Sequence, residues 1–99
     1  MVYVDNAFVA RHGYQWCHLL ADSVEELHEF AASIGLSARA FHHTARIPHY
    51  DVTRSQRRVV LNKGALAVSV REGIRLTQHL AAQRALRVPT HAYQQELFA

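Results

Sequence analysis

The chain has 99 residues, of which 49% are hydrophobic, and this size and composition suit one folded domain with one core. Eleven Lys and Arg residues against eight Asp and Glu residues give a net charge of +3 with neutral histidines, which permits a nucleic-acid partner without requiring one. The single cysteine, Cys17, excludes an internal disulfide and a zinc site built from several cysteines.

The sequence also lacks the features of an exported or membrane-spanning protein. Its first residues, MVYVDNAF, do not combine a basic segment with an apolar one, as a secretory signal does. No apolar run approaches the ~20 residues that a membrane helix needs. We therefore expect a cytoplasmic protein without membrane contact. A short chain buries a small share of its surface, which permits a homodimer.

Two antiparallel strands are predicted near the N terminus. Residues 2 to 4 and residues 15 to 21 are β-type runs, and residues 9 to 14 read as a connection between them. The two runs are too close in the chain for a helical crossover, so an antiparallel pair is expected.

Alternation of side chains along these strands predicts one apolar and one mixed face. The apolar face, which we assign to the core, carries Val2, Val4, Cys17, Leu19 and Ala21. The opposite face carries Tyr3, Asp5, Trp16 and His18. Such a group could bind a planar ligand or a metal, and it is also ordinary cross-strand pairing on a half-exposed sheet.

Three helices are predicted after these strands. The first spans residues 23 to 34, begins at the capping box S-V-E-E and ends at a glycine. The second spans residues 53 to 63 and begins at Thr53. The third spans residues 69 to 86, begins at the capping box S-V-R-E and ends before Pro89.

The remaining segments complete the predicted fold. Residues 65 to 68 form an apolar run that predicts a buried strand, and residues 36 to 52 read as an irregular loop. The order is therefore ββααβα, which predicts an α/β domain with a small mixed sheet of about three strands and three helices. We expect this domain to cover residues 1 to 88 and a C-terminal tail to cover residues 89 to 99.

The motif H-Y-D at residues 49 to 51 lies in the predicted loop, directly before the second helix. A helix N terminus attracts anions through its free N–H groups and its dipole. The first two turns of this helix carry Arg54, Arg57 and Arg58, which could neutralise a phosphate while His49 serves as acid, base or ligand. Alternatively, Asp51 is a simple cap and the arginines form a solvated face.

Four segments resemble a single family. VYVD, WCHLLADSVEELHEFAASIGL, HYDVT and KGALAVSVRE occur in this order within residues 2 to 75. They are similar to the domain of unknown function 4031 family of small bacterial and phage proteins. The resemblance specifies no activity. It implies importance for eight positions: Asp5, Trp16, His18, Asp22, His28, His49, Tyr50 and Asp51.

These observations predict a His/Asp site for a phosphorylated or nucleotide-like ligand, and its residue types are compatible with metal-assisted phosphoester hydrolysis. The predicted catalytic residues are His18, His49 and Asp51, and the predicted ligands of a divalent metal are Asp5, His18 and His49. The predicted ligand-binding residues are Tyr3, Trp16, His28, Tyr50, Arg54, Arg57 and Arg58. The alternative is a non-catalytic module that binds nucleic acid or a protein through Arg39, Arg46, Arg54, Arg57 and Arg58.

Overall fold

Alternating strands and helices build a layered α/β domain in the computed structural model, which describes residues 1 to 82. The strands are β1 (Val2–Val4), β2 (Val9–Arg11), β3 (Tyr14–Ala21), β4 (Phe41–His42), β5 (His49–Thr53) and β6 (Leu66–Ala67). The α-helices are α1 (Val24–Ser33), α2 (Arg54–Asn62) and α3 (Val70–Thr77). Short 3₁₀ turns occupy Ala38–Ala40 and Gln78–Ala82. The helix predicted for residues 69 to 86 is α-helical only over Val70–Thr77 and changes to a 3₁₀ turn after it, and residues 83 to 99, with the predicted tail, lie outside the described residues.

The strands form one mixed sheet in the order β4-β5-β3-β1-β6, and β2 pairs with the first half of β3. All neighbours are antiparallel except β1 and β6, which are parallel. The α/β class, the mixed sheet and the three helices are therefore confirmed. The expected number of about three strands is wrong, because the described residues form six, and the element order differs accordingly. The added strands are short or polar, and their pairing with β3 and β5 outweighs their weak local propensity.

Polar side chains cap the helices at the predicted positions. Ser23 Oγ accepts from the Glu26 backbone N–H at 3.1 Å, but the Glu26 carboxylate contacts the Met1 amino group, so only half of the first capping box forms. A complete box begins α2, where Thr53 and Gln56 each accept from the other's backbone N–H. These caps determine where the helices leave the sheet.

The first face of the sheet packs against α1 and α2 and forms the main core. Val2 pairs with Ala21 and Val4 with Leu19, and these residues share a buried cluster with Cys17, as predicted. Both helices add buried side chains to this cluster: Leu27 and Ala31 from α1, and Val60 from α2. The core therefore fixes which face of β3 is left for other contacts.

The second face is covered only at one end. Tyr3, Leu20 and Val68 form a smaller buried cluster. Ile47 of the loop before β5 and Leu76 of α3 pack against it. The strand predicted at residues 65 to 68 forms, but Leu66 and Ala67 are exposed rather than buried because β6 is an edge strand. Among residues 1 to 82, no helix has both the length and the apolar character needed to cross a bilayer.

Candidate metal centre

Strand pairing brings a group of polar side chains together on the second face of the sheet. His18 of β3 lies opposite Asp51 of β5, and His49 of β5 lies opposite His42 of β4. Since alternate residues of a strand share a face, His49 and Asp51 point to the same side as His18. The cluster is therefore a direct consequence of the β3–β5–β4 register.

Asp5 fixes the orientation of the His18 ring. The Asp5 carboxylate is buried, and its Oδ1 accepts from the backbone N–H groups of His18 at 2.9 Å and Ala7 at 3.2 Å. Its Oδ2 lies 2.6 Å from His18 Nδ1, and the Asp5 backbone N–H donates to the His18 carbonyl at 3.0 Å. The carboxylate thus selects the tautomer with the proton on Nδ1, which directs the lone pair of Nε2 away from Asp5.

A backbone carbonyl orients His49 in a similar way. His49 Nδ1 donates to the Ile47 carbonyl at 2.9 Å, so its Nε2 is the ring atom left for a further contact. That Nε2 lies 3.4 Å from Asp51 Oδ1. The His18 and His49 rings meet edge to face, with centroids 4.8 Å apart and planes at 90°. The two oriented imidazoles therefore converge on the same space.

Asp51 is held from its other side. Its Oδ2 lies 2.9 Å from Arg11 Nη2 and 2.7 Å from His42 Nε2. The His42 ring stacks on His49, with centroids 4.9 Å apart and planes at 12°. These contacts occupy Oδ2 and leave Oδ1 beside the His49 Nε2 atom.

The charges of the cluster shift the pKa of its acids and of His18. Burial alone raises the pKa of Asp51, but the nearby His49 ring and the hydrogen bond from the Arg11 guanidinium outweigh it and hold that pKa well below its usual range. Burial also opposes ionisation of Asp5, and the hydrogen bonds from His18 and Ala7 reverse the effect and lower its pKa. The hydrogen bond to Asp5 raises the pKa of His18, although burial opposes this. Both carboxylates are therefore ionised at neutral pH.

These shifts predict that the protein loses stability in acid. The folded-state pKa of Asp5 and Asp51 lies below the unfolded value of about 4, so their contribution is full above that pH and is lost as the pH falls through the folded pKa. We expect Asp51→Asn to show a shallower loss below about pH 4. Urea unfolding at several pH values with a chelator present measures this, and equal acid slopes for both proteins would contradict it.

His18, His49 and Asp51 form a group that could hold a metal ion. One ligand atom from each lies within 4.8 Å of those from the other two. Ligands of one tetrahedral zinc ion lie about 3.3 Å apart, given metal–ligand distances of about 2.0–2.1 Å. Asp51, rather than the predicted Asp5, is thus grouped with the two histidines. Asp5 instead contacts the Nδ1 atom of His18.

A pocket adjoins this cluster. Its cavity volume is about 320 Å³, and Asp5, His18 and His49 line one side of it. The rest of its wall comes from the sheet, the loop before β5 and α3: Leu20, Ala45, Arg46, Ile47, Val70, Ile74 and Thr77. A small, largely apolar group could therefore lie next to the two histidines, beside one arginine.

Two of the predicted site residues lie on the opposite side of the sheet. Tyr50 points into the main core, because it alternates with His49 and Asp51 along β5. His28 of α1 lies with it, since its Nδ1 is 2.9 Å from the Tyr50 hydroxyl and its ring packs against Phe41. The structure therefore does not bring His28 or Tyr50 to the His18–His49 cluster.

The other predicted ligand-binding residues have separate contacts. The Tyr3 hydroxyl donates to Asp22 at 2.7 Å, and Trp16 lies two residues from His18 on the same face of β3. Arg54 donates to the Gln15 side chain and Arg57 to the Asp5 carbonyl, and both guanidinium groups lie 5.3 Å from the Phe8 ring. Arg58 is exposed on α2. These contacts of Arg54 and Arg57 are with residues other than His18, His49 and Asp51.

Sequence reasoning missed two residues that contact Asp51. His42 lay in the segment of residues 36 to 52 that was predicted to be an irregular loop, and Arg11 lay in the predicted connection before β3. The H-Y-D segment was expected in a loop and instead forms β5, because its Tyr50 and Val52 are buried against β3. The alternation of polar and apolar residues in HYDVT is the signal that could have indicated a strand.

The fold and this cluster define a small α/β protein with a His/Asp group on one face of its sheet. The family model described as protein of unknown function (DUF4031) matches residues 2–83, and the chain belongs to this family. The resemblance expected from the sequence motifs is therefore confirmed. Comparisons with curated proteins and with solved structures gave no match.

Proposed function

We propose that the protein binds a divalent transition metal through His18, His49 and Asp51 and hydrolyses a phosphoester there. The observation that carries this proposal is the orientation of both imidazoles by their Nδ1 atoms, which bond a carboxylate and a backbone carbonyl. Metal-binding histidines almost always have such a partner on the other ring nitrogen.

The ligand types favour particular metals. Two imidazoles and one carboxylate suit zinc, manganese or ferrous iron better than calcium or magnesium, which prefer oxygen ligands. Three protein ligands also leave coordination positions open for water and substrate, as in catalytic zinc sites.

A metal bound at this position would lower the pKa of a water molecule and polarise a phosphoryl oxygen. In the proposed reaction the water oxygen bonds to phosphorus, the ester P–O bond breaks, and the alcohol leaves with a proton. Arg11, which bonds Asp51, and Arg46, which lines the pocket, supply positive charge beside that phosphate. Asp5 keeps His18 in the tautomer that binds metal.

The test is hydrolysis of bis(p-nitrophenyl) phosphate by protein freed of metal and then loaded with Zn²⁺ or Mn²⁺. We expect metal-dependent release of p-nitrophenol, lost in His18→Ala and retained in His43→Ala, which changes an exposed histidine outside the cluster. Metal binding without turnover in any metal would contradict the hydrolytic part of the proposal. Absence of metal binding would contradict the whole of it.

Asp5→Asn is expected to weaken Zn²⁺ binding about 10- to 100-fold without removing a direct ligand, since residues that bond the other ring nitrogen of a metal-binding histidine have effects of this size. The amide is similar in size to the carboxylate but lacks its charge, so His18 loses basicity. Competition with a chromogenic chelator measures the affinity, and Glu72→Gln, at an exposed position of α3, is the control. An unchanged affinity would show that Asp5 does not support the site.

A further inference from the structure

One face of β3 carries a continuous track of side chains that passes through the metal centre. Its residues, here called the β3 track, are Tyr14, Trp16, His18 and Leu20, and the last three alternate with the core residues Cys17, Leu19 and Ala21. Residues two apart on one face of a strand are separated by about 6.7 Å. The track therefore extends well beyond one metal-bound group in both directions.

The hairpin end of the track is aromatic and exposed. Tyr14 is 60% exposed and meets Trp16 edge to face, with ring centroids 5.9 Å apart. Arg11 lies over the indole at 5.2 Å, and Trp16 Nε1 donates to the Arg11 carbonyl at 2.9 Å. These contacts hold Trp16 in place and leave the Tyr14 ring accessible to a planar group.

Arg11 connects this end to the metal centre. The guanidinium that lies over Trp16 also donates to Asp51 Oδ2 at 2.9 Å. A phosphate next to the aromatic rings would therefore meet a cation that is already positioned beside a proposed metal ligand. Aromatic surface, positive charge and metal-binding atoms follow one another along the strand.

The other end of the track enters the pocket. Leu20 and Ile47 form its floor with apolar side chains of α3, of which Val70 is 38% and Ile74 is 47% exposed. Exposed apolar side chains that line a cavity indicate a surface for a ligand. The cavity of about 320 Å³ could hold one heterocyclic base beside His18 and His49.

We infer that the β3 track binds single-stranded nucleic acid across the candidate metal centre, with one base on Tyr14, a base further along the nucleic acid in the pocket, and a phosphodiester between those two bases at His18, His49 and Asp51. Aromatic stacking combined with arginine contacts is how proteins bind single strands without sequence preference. Paired bases in a duplex could neither stack on Tyr14 nor enter the pocket. The position of the phosphodiester rests on the proposed function, whereas the two base contacts do not.

Fluorescence anisotropy with labelled five-nucleotide DNA and RNA, in a chelator, tests the base contacts without any metal. We expect both single strands to bind more tightly than a duplex of the same sequence or a mononucleotide. Tyr14→Leu should weaken binding about fivefold or more, the lower end of the effect of one stacked base, and Tyr14→Phe should retain it.

The pocket end has a matched pair of variants. Ile74→Gln should weaken oligonucleotide binding, and Leu66→Gln, at a similarly exposed position on β6, should not. Circular dichroism checks that each variant is folded. Equal affinity for duplex and single strand, or equal affinity of wild type and Tyr14→Leu, would overturn the inference. Because the chelator removes metal, loss of the proposed hydrolysis alone would leave these binding results intact.

Discussion

His49→Ala should weaken the binding of Zn²⁺ by about 100-fold or more. This effect is larger than the 10- to 100-fold change that is typical when a residue hydrogen-bonded to a metal ligand is replaced. The substitution removes one of three proposed ligands and the ring that meets His18 at 4.8 Å. His18 and Asp51 alone do not provide the three-ligand set of known catalytic zinc sites. Isothermal titration calorimetry of metal-free protein measures the difference.

The control for this prediction is His43→Ala, because His43 is exposed and is not among the three residues grouped as metal ligands. We expect its affinity for Zn²⁺ to match that of the wild type. Equal affinity of His49→Ala and His43→Ala would place zinc elsewhere on the protein and contradict the assignment of His49.

Leu19→Ala is expected to lower the free energy of unfolding by about 2–5 kcal/mol, the usual cost of deleting a fully buried leucine side chain. Leu19 lies in the centre of β3, pairs with Val4 and Tyr50, and has no exposed surface. Its removal leaves a cavity in the main core, between α1 and β3, the strand that also carries His18. Chemical denaturation followed by circular dichroism measures the loss.

Leu66→Ala provides the matched control for that loss. Leu66 is on the edge strand β6 and is 46% exposed, so the same substitution should change the free energy of unfolding by no more than about 0.5 kcal/mol. Similar losses for both variants would show that Leu19 is not in the core, and the assigned faces of β3 would then be wrong.

Most of what could be predicted about the fold near the site came from the alternation of side chains between the two faces of the strands. The pattern of residues 15 to 21 placed Cys17 in the core and His18 on the other face, and the observed cluster confirms this. It also placed Asp5 beside His18, where the two side chains do bond. Local periodicity is sufficient here because β1 and β3 are close in the chain and pair without a crossover.

The missed strands depend on contacts between distant residues. Phe41–His42 contains only two residues, which is too short for any periodic signal. Its position is determined by pairing with β5, and that pairing is what places His42 next to Asp51. Likewise, the H-Y-D motif was informative about chemistry, but its strand structure follows from burial against β3.

The proposed metal ligand set shows the same limit. The sequence predicted Asp5, His18 and His49 as metal ligands, whereas the structure groups Asp51 with the two histidines. The register decides this, since it sets Asp51 directly opposite His18, while the backbone N–H groups of His18 and Ala7 bind Asp5. The predicted role of His28 depended on helix placement, and α1 packs on the other face.

Metal binding by His18, His49 and Asp51 can be tested by NMR of the histidine ring nitrogens in ¹⁵N-labelled protein during a Zn²⁺ titration. We expect the Nε2 resonances of His18 and His49 to shift as one equivalent of metal binds, while their Nδ1 atoms stay protonated by the bonds to Asp5 and Ile47. The His28 ring, on the opposite face, should keep its resonances. Zinc-induced shifts confined to other histidines, or no shift at either Nε2, would contradict the claim.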